Sequence, residues 1–251
     1  MGTLMLQLPK ETHWRSLVWL LFAILTTYVG FAYSWAAALL CLWVSFVISF
    51  TTVFFPRCQW LCPVHCRTHQ KTILITIDDG PDPATTPVLL DLLDQYKTKA
   101  IFFMIGEKVL AHPELAREVI RRGHEIGNHT QTHPRSTFWV AGPIRTHREI
   151  LNCQSAVEMV TKTKPRWFRA PVGHRNFFTY SVAQSLGLQI MAWSQRGYDT
   201  VHKDTQQVLG RILPNLSFGD IVLIHDSTPI AAEVLAGLLS HMKVLAKTVN
   251  K

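Results

Sequence analysis

The sequence predicts an α/β protein, a mainly parallel sheet covered by helices, preceded by a pair of apolar helices. Three observations carry this. From about Lys71 onward, short β-branched or aromatic runs alternate with amphipathic helical patterns. From Ser16 to Phe55 there is no Asp, Glu, Lys, Arg or His. The first run of the alternating region, Ile73-Leu74-Ile75-Thr76-Ile77, ends in two adjacent carboxylates, Asp78 and Asp79, and stops at Gly80-Pro81, so a buried strand emerges into solvent there.

Residues 1–15 form a basic flank with Lys10 and Arg15. The uncharged block is about 40 residues long, twice the roughly 20 that span a bilayer as helix. Residues 16–56 are therefore expected to be two transmembrane helices that turn near Gly30 to Ser34, with Trp14, Tyr28, Tyr33, Trp35 and Trp60 as interfacial anchors. One long tilted helix is the alternative. The apolar run far exceeds a signal-peptide core, and no small-residue cleavage site follows it. Arg57, Arg67 and Lys71 follow the block while its midpoint is uncharged, which places both ends, and the domain beyond, on the cytoplasmic side of a membrane.

Residues 57–70 read as a linker rich in Cys and His. Cys58, Cys62 and Cys66 recur every four residues beside His65 and His69. Pro63 interrupts any helix there and the spacing is not CxxC, so juxtamembrane thiols, open to acylation, fit better than a soft-metal site. Cys41 and Cys153 are remote, and the five cysteines make no disulfide framework.

In residues 71–251 the expected elements follow in order. A helix begins behind Pro87, a strand covers Ala100 to Ile105, and a helix runs from Pro113 to Arg122, closed by Gly123. Glu125 to Asn128 is a short strand that delivers His129. Then come a helix from Ile144 to Val160, a strand at Trp167 to Arg169 and a helix from Ser181 to Leu186. A strand at Gln189 to Trp193, a helix at Thr205 to Ile212, a strand at Ile221 to Ile224 and a helix from Glu233 to Val244 complete the chain. The net charge is +8 but the Lys and Arg are scattered, with no aromatic-interleaved basic stripe, which argues against a nucleic-acid partner.

Adjacent strand residues point to opposite faces, and two neighbouring carboxylates are usually kept charged by a cation. An ordinary Asp-Gly turn is the bland alternative. His129-Thr130-Gln131-Thr132-His133 sets two imidazoles at i and i+4, on one face of a helical turn, within reach of one ion. The glutamate of HExxH is missing, so a third ligand and a base come from elsewhere. Asp79 and Asp78 fit those vacancies.

Taken together, Thr76-Ile77-Asp78-Asp79-Gly80-Pro81, His129 to His133, Arg169-Ala170-Pro171-Val172-Gly173 and Leu223-Ile224-His225 resemble four ordered motifs of the polysaccharide deacetylases, the NodB-homology or carbohydrate esterase 4 family. The resemblance runs from about Lys71 to the C-terminus and implies a distorted (β/α) barrel with its chemistry at the C-terminal strand ends. It implies that Asp79, His129 and His133 hold a divalent cation, zinc above others, and that Asp78 is the base. It further implies that Arg169 orients Asp78, His225 protonates the leaving amine, the Val172 N–H meets the oxyanion and Leu223 lines the acetyl pocket. Asp199 falls where the family tends to place the carboxylate that tunes the histidine, but Arg196 replaces an Asp of that DxxDW pattern and Thr200 its Trp. The expected function is a membrane-anchored, metal-dependent deacetylase of an N-acetylated carbohydrate, on a polysaccharide or a lipid-linked glycan, with membrane lipid as a further partner. An O-acetyl glycan esterase and a catalytically inert sugar- or metal-binding module are the alternatives, and an exported domain on a single span is the rival placement.

Overall fold

A computed structural model describes residues 13–59, 62–68 and 72–249. The basic flank up to residue 12, with Lys10, and the positions of Trp60, His69 and Lys71 lie outside the described residues. Seven parallel strands form one sheet: β1 (Leu74–Gly80), β2 (Ala100–Met104), β3 (Glu125–Asn128), β4 (Trp167–Phe168), β5 (Gln189–Ile190), β6 (Gln195–Arg196) and β7 (Ile221–His225). Their spatial order is β5-β4-β3-β2-β1-β7-β6, a curled half-barrel.

Strand alternation sorts the core into two layers. Ile75, Ile77, Phe102, Val222 and Ile224 face outward and pack with Leu89, Leu93, Val234 and Leu238. Those leucines and Val234 belong to α3 (Thr86–Gln95) and α9 (Ala231–Val249), the helices that cover this face. Ile101, Phe103, Phe168, Ile221 and Leu223 face inward and pack with Trp193 and Val64. Thr76 and Asp78, of opposite parity to Ile75 and Ile77, share the concave interior. Every residue from Ile75 to Asp78 is buried, as expected of a central parallel strand with both faces covered.

The expected strand at Gln189 to Trp193 is cut short at Ile190, and a further strand, β6, not foreseen, follows at Gln195. β5 and β6 sit at opposite edges of the sheet, and the residues between them run from one edge to the other. Met191 N–H donates to Phe168 O, and Ser194 N–H donates to Ile221 O (both 2.9 Å). The 62–68 segment fills the same gap: His65 N–H donates to Ile190 O and its own carbonyl accepts from Ala192 N–H, both at 2.9 Å. The remaining helices are α4 (Gly106–Ala111), not foreseen because Gly106 reads as a strand end, α5 (Pro113–Arg121), α6 (Pro143–Thr161), α7 (Thr179–Ser185) and α8 (Thr205–Ile212).

The apolar block forms α1 (His13–Ala32) and α2 (Trp35–Thr51), which pack together across a turn at Tyr33 and Ser34. The expected membrane placement fails on length. Among the described residues no helix is long and apolar enough to cross a membrane. At about 1.5 Å per residue the 17 residues of α2 reach only about 25 Å, short of a hydrocarbon core of about 30 Å. α1 opens on His13 and carries Arg15 in its first turn, so its uncharged stretch is no longer than α2. The turn falls where it was expected, within Gly30 to Ser34, but it leaves each helix too short to span, even though α2 exposes apolar residues such as Leu39, Trp43 and Phe46. The multi-pass localisation and the inward-facing domain drawn from it therefore do not stand.

Past α2 the chain docks on the sheet domain. Phe54 packs against Trp139 and His174, with ring centroids 5.2 and 5.1 Å apart. Buried Arg175 donates to Phe55 O, Cys58 O and Cys62 Sγ at 3.1, 2.7 and 2.9 Å.

Candidate active site

The C-terminal ends of β1, β3 and β7, with the loop after β4, converge on one cleft lined by Asp78, Asp79, His129, His133, Val172, Leu223 and His225. Alternation alone would send Asp79 away from Asp78. A β-bulge intervenes: the register with β2 shifts between Asp78 and Gly80, and Asp79 adopts φ 71°. The expectation that the two carboxylates occupy different environments is therefore corrected. His129 Nε2 lies 3.7 Å from Asp78 Oδ2 and 3.4 Å from Asp79 Oδ1.

His129 and His133 do converge, but not on a helical turn. They flank an irregular loop in which Thr130 and His133 take φ 68° and 52°. Thr130 N–H donates to Asn128 Oδ1 (3.0 Å) and His133 N–H to Thr130 Oγ1 (3.1 Å). Glu149 on α6 accepts from the N–H and hydroxyl of Thr132 at 3.0 and 2.8 Å. Such local side-chain bonds give the backbone an alternative to the helix. The N-terminus of α4 completes the clamp, Gly106 N–H donating to Thr130 O and Glu107 N–H to Gln131 O (3.0 Å each).

Asp79 Oδ1 is 3.4 Å from His129 Nε2 and 3.2 Å from His133 Nε2, and it is buried without a hydrogen-bond partner. The His129 Nδ1–H donates to Arg169 O at 2.8 Å, which orients the ring with Nε2 toward that oxygen. Burial, then the charge of His129, pushes the His133 pKa down to about 3, so its ring is neutral. Burial by itself would raise the Asp79 carboxyl, but His129, His133 and His225 hold it below the usual carboxylate range. One carboxylate oxygen and two imidazole nitrogens thus face each other, their ligand atoms all within 4.8 Å. That donor set fits a divalent metal ion. Among the described residues it is the cluster able to hold one, and Cys58, Cys62 and Cys66 are not part of it.

Asp78 stands beside this cluster with one oxygen committed. Arg169 Nη1 donates to Asp78 Oδ1 at 2.6 Å, and also to Thr76 Oγ1 at 2.8 Å. Its other nitrogens donate to Met191 O (3.3 Å) and Ala192 O (2.8 Å), and the guanidinium carbon lies 4.1 Å from the Phe103 ring centre. Across the cleft the Asp199 carboxylate takes the His225 Nδ1–H at 2.8 Å and the His225 backbone N–H at 2.6 Å. Burial alone would lower the His225 pKa; the bond to Asp199, with the charges of Asp199, Asp78 and Asp79, raises it above the ordinary histidine value. A group acting as an acid loses activity as pH rises through its pKa, so a raised His225 pKa would widen upward the range in which that ring could serve as an acid. We expect Asp199→Asn to move the basic limb of the pH–kcat profile to lower pH and to reduce kcat about tenfold to a hundredfold. An unmoved limb at equal metal loading would show that Asp199 does not tune His225.

Val172 takes φ 56°, a left-handed conformation costly for a β-branched residue, in the short turn Pro171–Gly173 after β4. All nine residues singled out in the sequence therefore lie in or against this cleft. Missed were Thr76, visible only as part of the strand motif, and the arginines Arg135 and Arg196 that also line the cleft. Lys108, which donates to Asp79 O at 2.7 Å, was missed too. Another omission is Asp226, which accepts from Thr85 and Thr86 (2.7 and 2.5 Å) and steadies the turn after β1.

The family model described as Polysaccharide deacetylase matches residues 65–191. A peptidoglycan-N-acetylglucosamine deacetylase of Bacillus cereus is 37% identical over 181 residues, 71% of this chain and 84% of that protein. A chitooligosaccharide deacetylase of a Bradyrhizobium species is 34% identical over 164 residues, covering 65% and 74%. Among solved structures, a family 4 carbohydrate esterase from Streptomyces lividans in complex with acetate superposes with a TM-score of 0.65 at 26% identity, over 70% of this chain and 90% of that one.

Proposed function

The chain belongs to the polysaccharide deacetylase family, the NodB-homology hydrolases of carbohydrate-borne amides, and from that membership we propose that it removes the N-acetyl group of an amino sugar within a glycan. The observation that carries this is the meeting of Asp79, His129 and His133 around an unshared oxygen, with Asp78 beside them. The three would hold a divalent ion, zinc by its taste for one carboxylate and two imidazoles. Bound there, such an ion polarises the acyl carbonyl and eases ionisation of water.

The protein's own groups supply the rest. Asp78 Oδ2, left open while Oδ1 is held by Arg169, takes a proton from the attacking water. The Val172 N–H serves the developing oxyanion and Leu223 the acetyl methyl. His225, with its Nδ1 fixed by Asp199, gives its Nε2 proton to the departing amine, so acetate and a free amino sugar result. With the membrane placement gone, the ground for a lipid-linked substrate and a lipid partner goes as well.

The test is to offer the zinc-loaded protein N-acetylated chitooligosaccharide, peptidoglycan and an O-acetylated glycan. New amine on the first two supports N-deacetylation. Acetate from the O-acetylated glycan alone makes it an esterase, and no product from any makes it an inert binder. Chelation is expected to abolish turnover, zinc to restore it, and saturating zinc to raise the melting temperature of the stripped protein by roughly 5–10 °C, from about 2.7 kcal/mol of ligand stabilisation. Full activity after verified metal removal would contradict the proposed chemistry.

A further inference from the structure

Beside the catalytic cleft lies a second hollow of about 340 Å³, and the two adjoin, sharing Val172, Trp193 and Arg196 as walls. Its floor is aromatic, with Phe54, Phe55 and Tyr198 joining Trp193, and Arg57 lines it. No carboxylate lines this hollow, and in the cleft itself the acidic residues are Asp78 and Asp79.

Three arginines thus line the two adjoining hollows, and it is this placement, with no carboxylate bound to any of them, that distinguishes them. Among the described residues Arg145, Arg148, Arg175 and Arg211 also lack an ion pair but line neither hollow. Arg67, Arg117, Arg121, Arg122, Arg166 and Arg169 each rest on an Asp or Glu. Among the described residues no ion pair engages Arg57, Arg135 or Arg196. Arg57 points its guanidinium at Trp193 O (3.0 Å) and Ser194 O, and Arg135 is exposed. Arg196 is sandwiched by rings, its guanidinium carbon 5.3 Å from the centre of Trp193 and 4.6 Å from that of Tyr198. Stacking fixes the guanidinium plane, and its Nε is buried without an acceptor.

Taking the proposed deacetylation as its premise, we infer that the site selects glycans bearing an anionic group, carboxylate or phosphate, on the N-acetylated sugar or its immediate neighbour. Aromatic rings stack on the sugar, and an arginine held in a plane receives two anionic oxygens side by side. Asp78 does not cancel this field, since Arg169 is already bound to it.

The experiment compares four probes on the zinc-loaded full chain: neutral chitotetraose, a peptide-free glycan strand with free lactyl carboxylates, the methyl ester of that strand, and a 6-phosphorylated chitooligosaccharide. The acidic strand is expected to exceed its ester in kcat/KM by about tenfold or more, mostly through KM, as one charged hydrogen-bonded contact supplies. Raising salt from about 0.02 to about 0.5 M should erase most of that advantage. Arg196→Gln, and separately the exposed Arg135→Gln, should each shrink the acid-to-ester ratio. An equal advantage for the phosphorylated probe assigns the preference to charge alone, and none assigns it to the carboxylate. Equal kcat/KM for acid, ester and phosphate, or a preference that survives both substitutions, overturns the inference while leaving deacetylation intact. If no probe is turned over, deacetylation fails, and tighter binding of acid than ester, followed by tryptophan fluorescence, still decides the inference.

Discussion

Asp78→Asn is expected to lower kcat by about a thousandfold, within the range for removing a general base, while bound metal stays near the wild-type content. His129→Ala is expected to lose activity and metal together. The two residues are 3.7 Å apart, so distance alone does not separate their roles; commitment does. Asp78 gives Oδ1 to Arg169, whereas Asp79 Oδ1 is buried between the two histidines with no hydrogen-bond partner. Asparagine is chosen over alanine because its carbonyl still accepts from Arg169 Nη1, so that cation is not stranded. Metal analysis beside single-turnover kinetics makes the check. Equal metal loss in both variants would make Asp78 a ligand and leave the base unassigned.

Much of this site was legible because strand-end chemistry is local. Ile73 to Gly80 announces a strand by β-branching and its end by Gly-Pro, and all four motifs sit where a strand gives way to a loop. What misled was periodicity applied where the backbone leaves its regular path. The i, i+4 spacing of His129 and His133 implied a helix, yet Asn128 and Thr130 take the loop's N–H groups first. The period of two separated Asp78 from Asp79, yet a bulge reunites them, and bulges leave no sign in a strand pattern. The strand at Gln189 to Trp193 stops at Ile190 because the chain there leaves one edge of the sheet for the other, a demand of tertiary structure invisible in a short apolar run. In the apolar N-terminal block the hairpin was legible, but dividing its length by two hid that the turn and the charged first turn of α1 leave each apolar stretch too short to span. The roles of Asp199 and Val172 came from the family resemblance, and an isolated Asp or a valine after Ala-Pro would not have drawn notice otherwise.

Arg169→Met is expected to destabilise the fold by about 3–5 kcal/mol, the cost of breaking a buried ion pair by removing one member. For a chain of this size that is a fall in melting temperature of roughly 6–20 °C. Arg169 is 1% exposed, and its guanidinium joins β1, through Thr76 and Asp78, to the carbonyls of Met191 and Ala192. Methionine fills similar volume against Phe103 but leaves the Asp78 carboxylate and two carbonyls without donors. Lysine keeps the charge yet cannot make a fork of bonds to four acceptors, so Arg169→Lys should recover only part of the loss. If the stranded charge dominates, adding Asp78→Asn to Arg169→Met should raise stability above that of Arg169→Met alone, a coupling visible in a double-mutant cycle. A double variant no more stable than the single one would instead place the cost in the two carbonyls, and Arg169 would then be chiefly the brace that holds the edge-crossing stretch against β1.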